Sequence, residues 1–268
     1  KMVTNLWPYA EVGHTDEAKK ELKALFDGEI PFDTPKPTRL LLRILQIVSN
    51  EGDIVLDFFS GSATTAHAVM QYNAMAVDDD KRQFILVQIP EKVKNKWGNL
   101  CTIGMERIKR AAKKIKEDNP LFAGDLGFKH YTLEEPKKDA LLLMERFDPV
   151  SNNITTLNVD DFGLQTVLRT WLVADGYGLI ENAEEVMLGS YKAYWKGDHL
   201  YLINPDRDFD ANSIAALMDK YHGEPFSPHN IVVFGYSFAF THREELQKNL
   251  RTLKEGNKTL TVNIDVRY

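Results

Sequence analysis

The apolar positions of the chain alternate between two periods, and the change of period marks its elements. Leu41, Ile44, Leu45 and Val48 recur at i, i+3, i+4 and i+7, predicting a helix over residues 38–49 whose apolar stripe packs on a sheet. An earlier helix is predicted over 15–26, where Ala18, Leu22 and Leu25 share one face. Thr15 serves as its cap, and Asp16 and Glu17 complement the positive end of the helix. Pro37 suits a first helical turn. After Asn50-Glu51-Gly52, the unbroken run Ile54-Val55-Leu56 ends in Asp57 and predicts a buried strand. A turn of small residues then opens a helix reaching Tyr72. A polar loop at 77–81 precedes a second buried strand, 82–88. The helix predicted over 102–117 buries Met105, Ile108, Ala112 and Ile115. Its cations Arg107, Lys109, Arg110, Lys113, Lys114 and Lys116 read as a solvated face. Residues 126–131 predict a third strand.

The pattern breaks at Glu134-Glu135-Pro136-Lys137-Lys138-Asp139, and 146–161 carry little periodicity. The expected organisation is therefore a first domain at 1–135, a linker at 136–160 and a second domain at 161–268. In the second domain helices are predicted at 164–175, 211–221 and 243–253, with strands near 186–195, 199–203, 230–235 and 259–266. This spacing is that of parallel crossovers in a small α/β domain.

The stretch Asp57-Phe58-Phe59-Ser60-Gly61-Ser62-Ala63-Thr64-Thr65-Ala66-His67 is a strand end, a tight turn and a helix start, the corner at which open α/β sheets hold ligands. Small residues let a ligand approach the backbone, and the free amides of the helix start favour electron-rich groups. Asp57 is placed to hold a positively charged or hydroxyl-bearing group. Gln88, at the end of the second strand, is an amide where an acid usually meets ribose hydroxyls. Lys36, between two prolines, reads by itself as a solvated lysine. Composition narrows the classes further. The formal charge of -6 gives no global basic field, so nucleic acid is not bound tightly by charge alone. Cys101, the single cysteine, excludes an internal disulfide and a cysteine-based metal site and fits a reducing cytosol. No apolar run reaches membrane length, so no membrane partner is expected and a bacterial cytoplasmic location is. The opening Lys1-Met2-Val3 reads like the middle of a longer protein.

Three segments together resemble the second half of a β-class amino-methyltransferase acting on DNA. Phe32-Asp33-Thr34-Pro35-Lys36-Pro37 resembles the Lys-Pro motif of that class, Asp57–Thr65 its Asp-x-Phe-x-Gly-x-Gly-Thr-Thr loop, and 82–88 its second strand. More narrowly, Val12-Gly13-His14-Thr15, the segments 57–70 and 84–91, and the terminal Asn263-Ile264-Asp265-Val266-Arg267-Tyr268 are similar to the modification subunit of type III restriction–modification systems. The resemblance implies a Rossmann-like, S-adenosylmethionine-dependent methyltransferase sheet followed by an α/β assembly domain. It also implies methylation of the exocyclic amine of adenine in DNA, with a restriction subunit and a second copy of the chain as partners. Asp57 and the backbone of Phe58, Phe59, Ser60, Gly61 and Ser62 would hold the methionine end of the donor. Lys36 with Thr34 would meet its carboxylate, Thr64 and Thr65 would cap the helix and line the pocket, and Gln88 would sit near the ribose. Ala63 stands where the family has glycine. Because it opens the helix, its φ is expected to be helical.

The family's Asp/Asn/Ser-Pro-Pro-aromatic loop does not occur in these residues: Asp148-Pro149-Val150 and Asn204-Pro205-Asp206 lack the second proline and the aromatic. The resemblance therefore implies a C-terminal part of a methyltransferase, without methyl transfer of its own. A second reading is an interaction module that joins subunits and binds no donor. A third is a nucleotide-binding protein using Gly61, against which stands the lack of a Gly-x-Gly-x-x-Gly or a Walker lysine.

Overall fold

The structure, a computed structural model, describes residues 5–76, 81–133, 138–146, 159–223, 225–252, 254–255, 258–259 and 261–268. The predicted loop at 77–81 (except Lys81), most of the break at 134–139, and Asp148-Pro149-Val150 lie outside the described residues. The chain forms two compact units, Lys1–Phe128 and Lys129–Tyr268. The predicted linker contains a helix, Lys138–Glu145, and its residues 147–158 are not among those described.

The first unit runs α1 (Tyr9–Val12), α2 (Thr15–Leu25), α3 (Thr38–Val48), β1 (Ile54–Asp57), α4 (Thr64–Met75), β2 (Gln83–Leu86) and α5 (Leu100–Asp118). β1 and β2 are parallel, in register from Ile54 opposite Gln83 to Asp57 opposite Leu86. α4 is the crossover between them and the centre of the unit, buried without interruption from Thr64 to Met70. One side of α4 packs Ala68 and Val69 against Leu45, Leu41 and Leu42 of α3 and against Val55 and Phe84. The other packs Ala66 and Met70 against Ile108, Ala111 and Ile115 of α5. α2 closes on α5 through Leu22, Phe26, Leu100 and Ile103, each burial stabilising by about 2 kcal/mol. Arg82 pins the start of β2. Its guanidinium lies 4.2 Å from the Tyr72 ring centre and donates to the Ser49 hydroxyl and carbonyl at 3.1 and 2.9 Å.

The α3 stripe is not all covered by a sheet: Leu45 is buried, whereas Ile44 and Val48 are exposed, because α3 packs on α4. The face of the two strands that carries Ile54, Leu56, Gln83 and Ile85 is likewise exposed. Residues 126–131 form no strand; Leu126 and Phe128 instead pack their side chains against the cluster of α4 and α5. The cap of α2 is His14, whose ring accepts from the Glu17 amide, rather than Thr15.

The second unit adds α6 (Lys138–Glu145), α7 (Val159–Phe162), α8 (Leu164–Ala174), β3 (Glu184–Leu188), β4 (Tyr191–Lys196), β5 (His199–Leu202), α9 (Ala211–Tyr221), β6 (Asn230–Phe234), α10 (Phe240–Leu250), β7 (Lys254–Glu255), β8 (Lys258–Thr259) and β9 (Asn263–Arg267). Its five-stranded sheet has the order β3-β4-β5-β6-β9. Parallel crossovers join only β5, β6 and β9; β3, β4 and β5 form an antiparallel meander. The single strand expected near 186–195 is thus a hairpin, turned at Gly189 with φ of 59°. β5 and β6 are covered on both faces, by α9 and α10 on one side and by α6 and α8 on the other, which explains the continuous run Ile231-Val232-Val233-Phe234.

Candidate functional site

β1 delivers Asp57 to the loop, and α4 receives the chain at Thr64. Between them Gly61 and Ala63 both adopt left-handed backbone, with φ of 53° and 58°. Glycine takes this conformation freely, whereas alanine costs about 1 kcal/mol. The helical φ expected of Ala63 is therefore corrected: it is the N-cap of α4, not its first helical residue. The loop is closed by the Ala63 amide donating to the Ser60 carbonyl at 2.7 Å. The Ser60 amide donates to the Val87 carbonyl at 3.2 Å, which ties the loop to the end of β2.

Asp57 has one hydrogen bond on each carboxylate oxygen: Oδ2 accepts from the Thr65 hydroxyl at 2.6 Å and Oδ1 from the Phe59 amide at 3.1 Å. An ionised carboxylate has about four acceptor positions, so it retains capacity for a ligand's donors. Phe58 and Phe59, packed on each other with ring centres 5.2 Å apart, are exposed. Gln88 Oε1 accepts from the Gly61 amide at 2.7 Å and its amide donates to the Ile89 carbonyl at 3.0 Å, so this side chain holds the loop in shape. The Cys101 thiol donates to the Gln88 carbonyl, joining the first turn of α5 to the same point.

The segment 32–37 lies beside this loop. A Phe32 ring carbon is 3.7 Å from where a Cβ on Gly61 would stand. Pro35 and Pro37 are buried, while Thr34 and Lys36 are exposed. Gly13, at φ of 82°, approaches so closely that an added Cβ would meet the Pro37 Cβ at 2.8 Å, so only glycine fits there.

Thr64 and Thr65 do not cap α4. Thr65 bonds Asp57, and Thr64 turns its hydroxyl to a guanidinium. That guanidinium belongs to Arg107, expected on a solvated face and found fully buried. Of the other cations, Lys109, Lys113, Lys114 and Lys116 are exposed, and Arg110 is half-buried between Glu106, Asp27 and the Phe26 ring. Arg107 donates to Ser62 Oγ at 3.1 Å, Thr64 Oγ1 at 2.7 Å and Thr38 Oγ1 at 3.4 Å. Glu21 supplies the countercharge 3.8 Å away, accepts from the Thr38 hydroxyl, and takes the Thr38 amide at 3.3 Å as a cap on α3. Burial lowers the Arg107 pKa to about 10, Glu21 opposing the shift, so the guanidinium stays charged at neutral pH. His67 lies against the same group, Nδ1 3.5 Å from Nη2. Burial first and the Arg107 charge second lower its pKa to about 3. Its 3.7 Å approach to Glu21 is accordingly a contact of a neutral ring rather than an ion pair. Sequence reasoning missed Arg107, Glu21, Thr38 and His67. The available signal was position: Arg107 follows Ile103 and Gly104 and precedes Ile108 and Ala111 on the buried face of α5.

Two family models match the chain. One, described as a DNA methylase, covers residues 1–117, and the other, the Type III R-M EcoP15I C-terminal domain, covers residues 162–260. The StyLTI Mod subunit of Salmonella typhimurium is 33% identical over 99% of this chain and 44% of its own length. The EcoP15I Mod subunit of Escherichia coli is 31% identical over 93% of this chain and 38% of its own. The EcoPI Mod subunit of Escherichia phage P1 is 31% identical over all of this chain and 41% of its own. The chain thus spans less than half the length of these relatives. With similarity that runs through both units and two family models that agree with it, the chain is homologous to part of the Mod subunits of type III restriction–modification enzymes, at 31–33% identity.

Proposed function

We propose that this chain is the methyl-donor-binding part of a DNA adenine methyltransferase, with S-adenosylmethionine as donor and the exocyclic amine of adenine as acceptor. The observation that carries the reading is the Asp57 carboxylate, held by Thr65 and the Phe59 amide at the mouth of a loop with two left-handed residues. The residues fit the group. Gly61 gives bare backbone, Asp57 keeps free acceptor positions for an ammonium, and exposed Lys36 offers a cation to a carboxylate. When bound, S-adenosylmethionine supplies an electrophilic methyl group on a sulfonium. Asp57 and the Phe58–Ser62 backbone hold its methionine end, Thr34 and Lys36 its carboxylate, and Thr64 and Thr65 keep the loop in place. Gln88 acts by fixing Gly61 and would lie near the ribose. In this reading β1, α4 and β2 are part of a Rossmann-like sheet, the first domain is 1–135, and 161–268 is an assembly domain. The parent enzyme acts on DNA together with a restriction subunit.

Calorimetry tests the reading. S-adenosylmethionine should bind and raise the melting temperature, while ATP and nicotinamide dinucleotide should not. Asp57→Ala should abolish binding; unchanged affinity would remove Asp57 from the site, and a response to ATP alone would favour a nucleotide pocket.

A second role, subunit assembly, is supported by the exposed face of Ile54 and Leu56 together with Phe58 and Phe59, since uncovered apolar strands template pairing with another chain. A homodimer or larger species is expected by light scattering at micromolar concentration. A monodisperse mass near 30.6 kDa would refute it.

A further inference from the structure

We infer that Arg107 is a positioning residue for the 60–65 loop: one buried guanidinium clamps the loop to the segment that carries Thr34 and Lys36, and so sets the affinity for a ligand it does not touch. The inference rests on the donor-binding reading above for its ligand, but on separate residues for its geometry.

Arginine is almost never fully buried unless paired, and a buried ion is often replaceable by apolar residues without loss of stability. Packing alone therefore does not account for Arg107. Its contacts have a pattern that does. Nη1 reaches the hydroxyls of Ser62 and Thr64, the residues on either side of left-handed Ala63, and so bridges the strained position from both flanks. Nη2 reaches Thr38, two residues beyond Lys36. Glu21 completes the link, holding Thr38 by its hydroxyl and amide while facing the guanidinium. Two segments 26 positions apart in sequence (Ser62 and Lys36) are thereby joined through one planar group. One turn earlier on the same helix, Gly104 lies against the loop, with room for no more than a methyl group in van der Waals contact. A Cβ there would stand 3.4 Å from the Ala63 Cβ and 3.6 Å from the Gly61 carbonyl oxygen. Arg107 Nε and His67 Nε2 have no partner among the described residues, so the guanidinium is turned toward the loop at the expense of a buried donor. A fork of donors in fixed geometry is required for this bridge, and lysine, a point charge with a flexible stem, does not reproduce it.

The test uses the full chain and three readouts: affinity for S-adenosylmethionine, melting temperature, and hydrogen exchange at the Gly61 and Ala63 amides. Arg107→Lys and Thr64→Val should each weaken affinity at least tenfold and accelerate exchange at both amides at least tenfold, while the Gln83 amide of β2 is unchanged. Thr64→Ser, which keeps the hydroxyl, should restore both. Ile115→Ala, buried on the same helix away from the loop, should lower the melting temperature yet leave affinity within twofold. Equal weakening by Ile115→Ala, or wild-type affinity and exchange in Arg107→Lys and Thr64→Val, would overturn the positioning role. If the unmutated chain binds no donor, the donor reading fails together with the affinity clause. The clamp then stands or falls on exchange at Gly61 and Ala63 alone.

Discussion

Replacing Asp175 by alanine is expected to destabilise the second unit by about 2–4 kcal/mol, the cost of leaving a buried hydroxyl unpaired and a partly buried cation with Asp265 as its remaining carboxylate. Asp175 follows the last turn of α8 and is only 8% exposed. It accepts from Arg267 of β9 at 2.7 and 3.0 Å and from the Tyr201 hydroxyl of β5 at 2.7 Å. Arg267 also stacks over Trp171, so the carboxylate ties α8 to two strands of the sheet. Burial alone would raise the Asp175 pKa, but the bonds from Arg267 and Tyr201 outweigh it and the net shift is downward. The sign follows. The contribution is complete above the unfolded carboxyl value of about 3.9 and is lost as pH falls below it. Asp175→Asn keeps the side-chain volume and one of the two acceptor oxygens but loses the charge and the other acceptor, and should cost less than the alanine variant. Urea unfolding read by tryptophan fluorescence measures both; a loss below about 1 kcal/mol for Asp175→Ala would contradict this account of the pair.

A second large effect is expected from pH acting on the first unit through His67. The ring is 3% exposed, with its pKa lowered to about 3 by burial and by Arg107. The charges that act on it are Arg107 and Lys114 of α5, both opposing protonation, with Glu21 of α2 3.7 Å away. An unfolded histidine titrates near 6.5, so below that pH the unfolded chain binds a proton that the folded chain refuses. Stability is full above pH 6.5 and falls by about 1.4 kcal/mol per pH unit below it, or about 2 kcal/mol by pH 5. His67→Gln removes the titration and should flatten this part of the profile. An equal decline between pH 6.5 and 5 in the variant would show that other groups carry it.

Much of the chain was legible because it depends on local pattern. The run Ile54-Val55-Leu56-Asp57 is the strand expected of it, and the helix over 211–221 has its expected bounds, with the Asp210 and Ser213 capping box to start it. The corner at Asp57 was also readable, since an acid followed by small residues and a helix start is a local arrangement. Spacing misled where two strands stood close together: Gly189 turns a hairpin inside what read as one strand, because a two-residue turn leaves the alternation of β3 and β4 almost unbroken.

Four features were decided only by tertiary structure. The face of β1 and β2 left open depends on which neighbours exist, and an apolar run does not name them. Residues 126–131 have strand composition but no strand partner among the described residues, and ladder hydrogen bonds need two chains of backbone. Ala63 is left-handed because the loop around it is held at Ser60, Ser62 and Thr64, a restraint no propensity encodes. Arg107 lies on the buried face of α5, yet a cation there reads as solvated until a countercharge and acceptors are known. Those come from Glu21, Thr38, Ser62 and Thr64, separated from it by 43 residues or more. Period fixes which face of a helix turns inward. Whether that face can bury a charge depends on groups brought to it from distant parts of the chain, because the electrostatic cost of burial is offset by partners in space and not by neighbours in sequence.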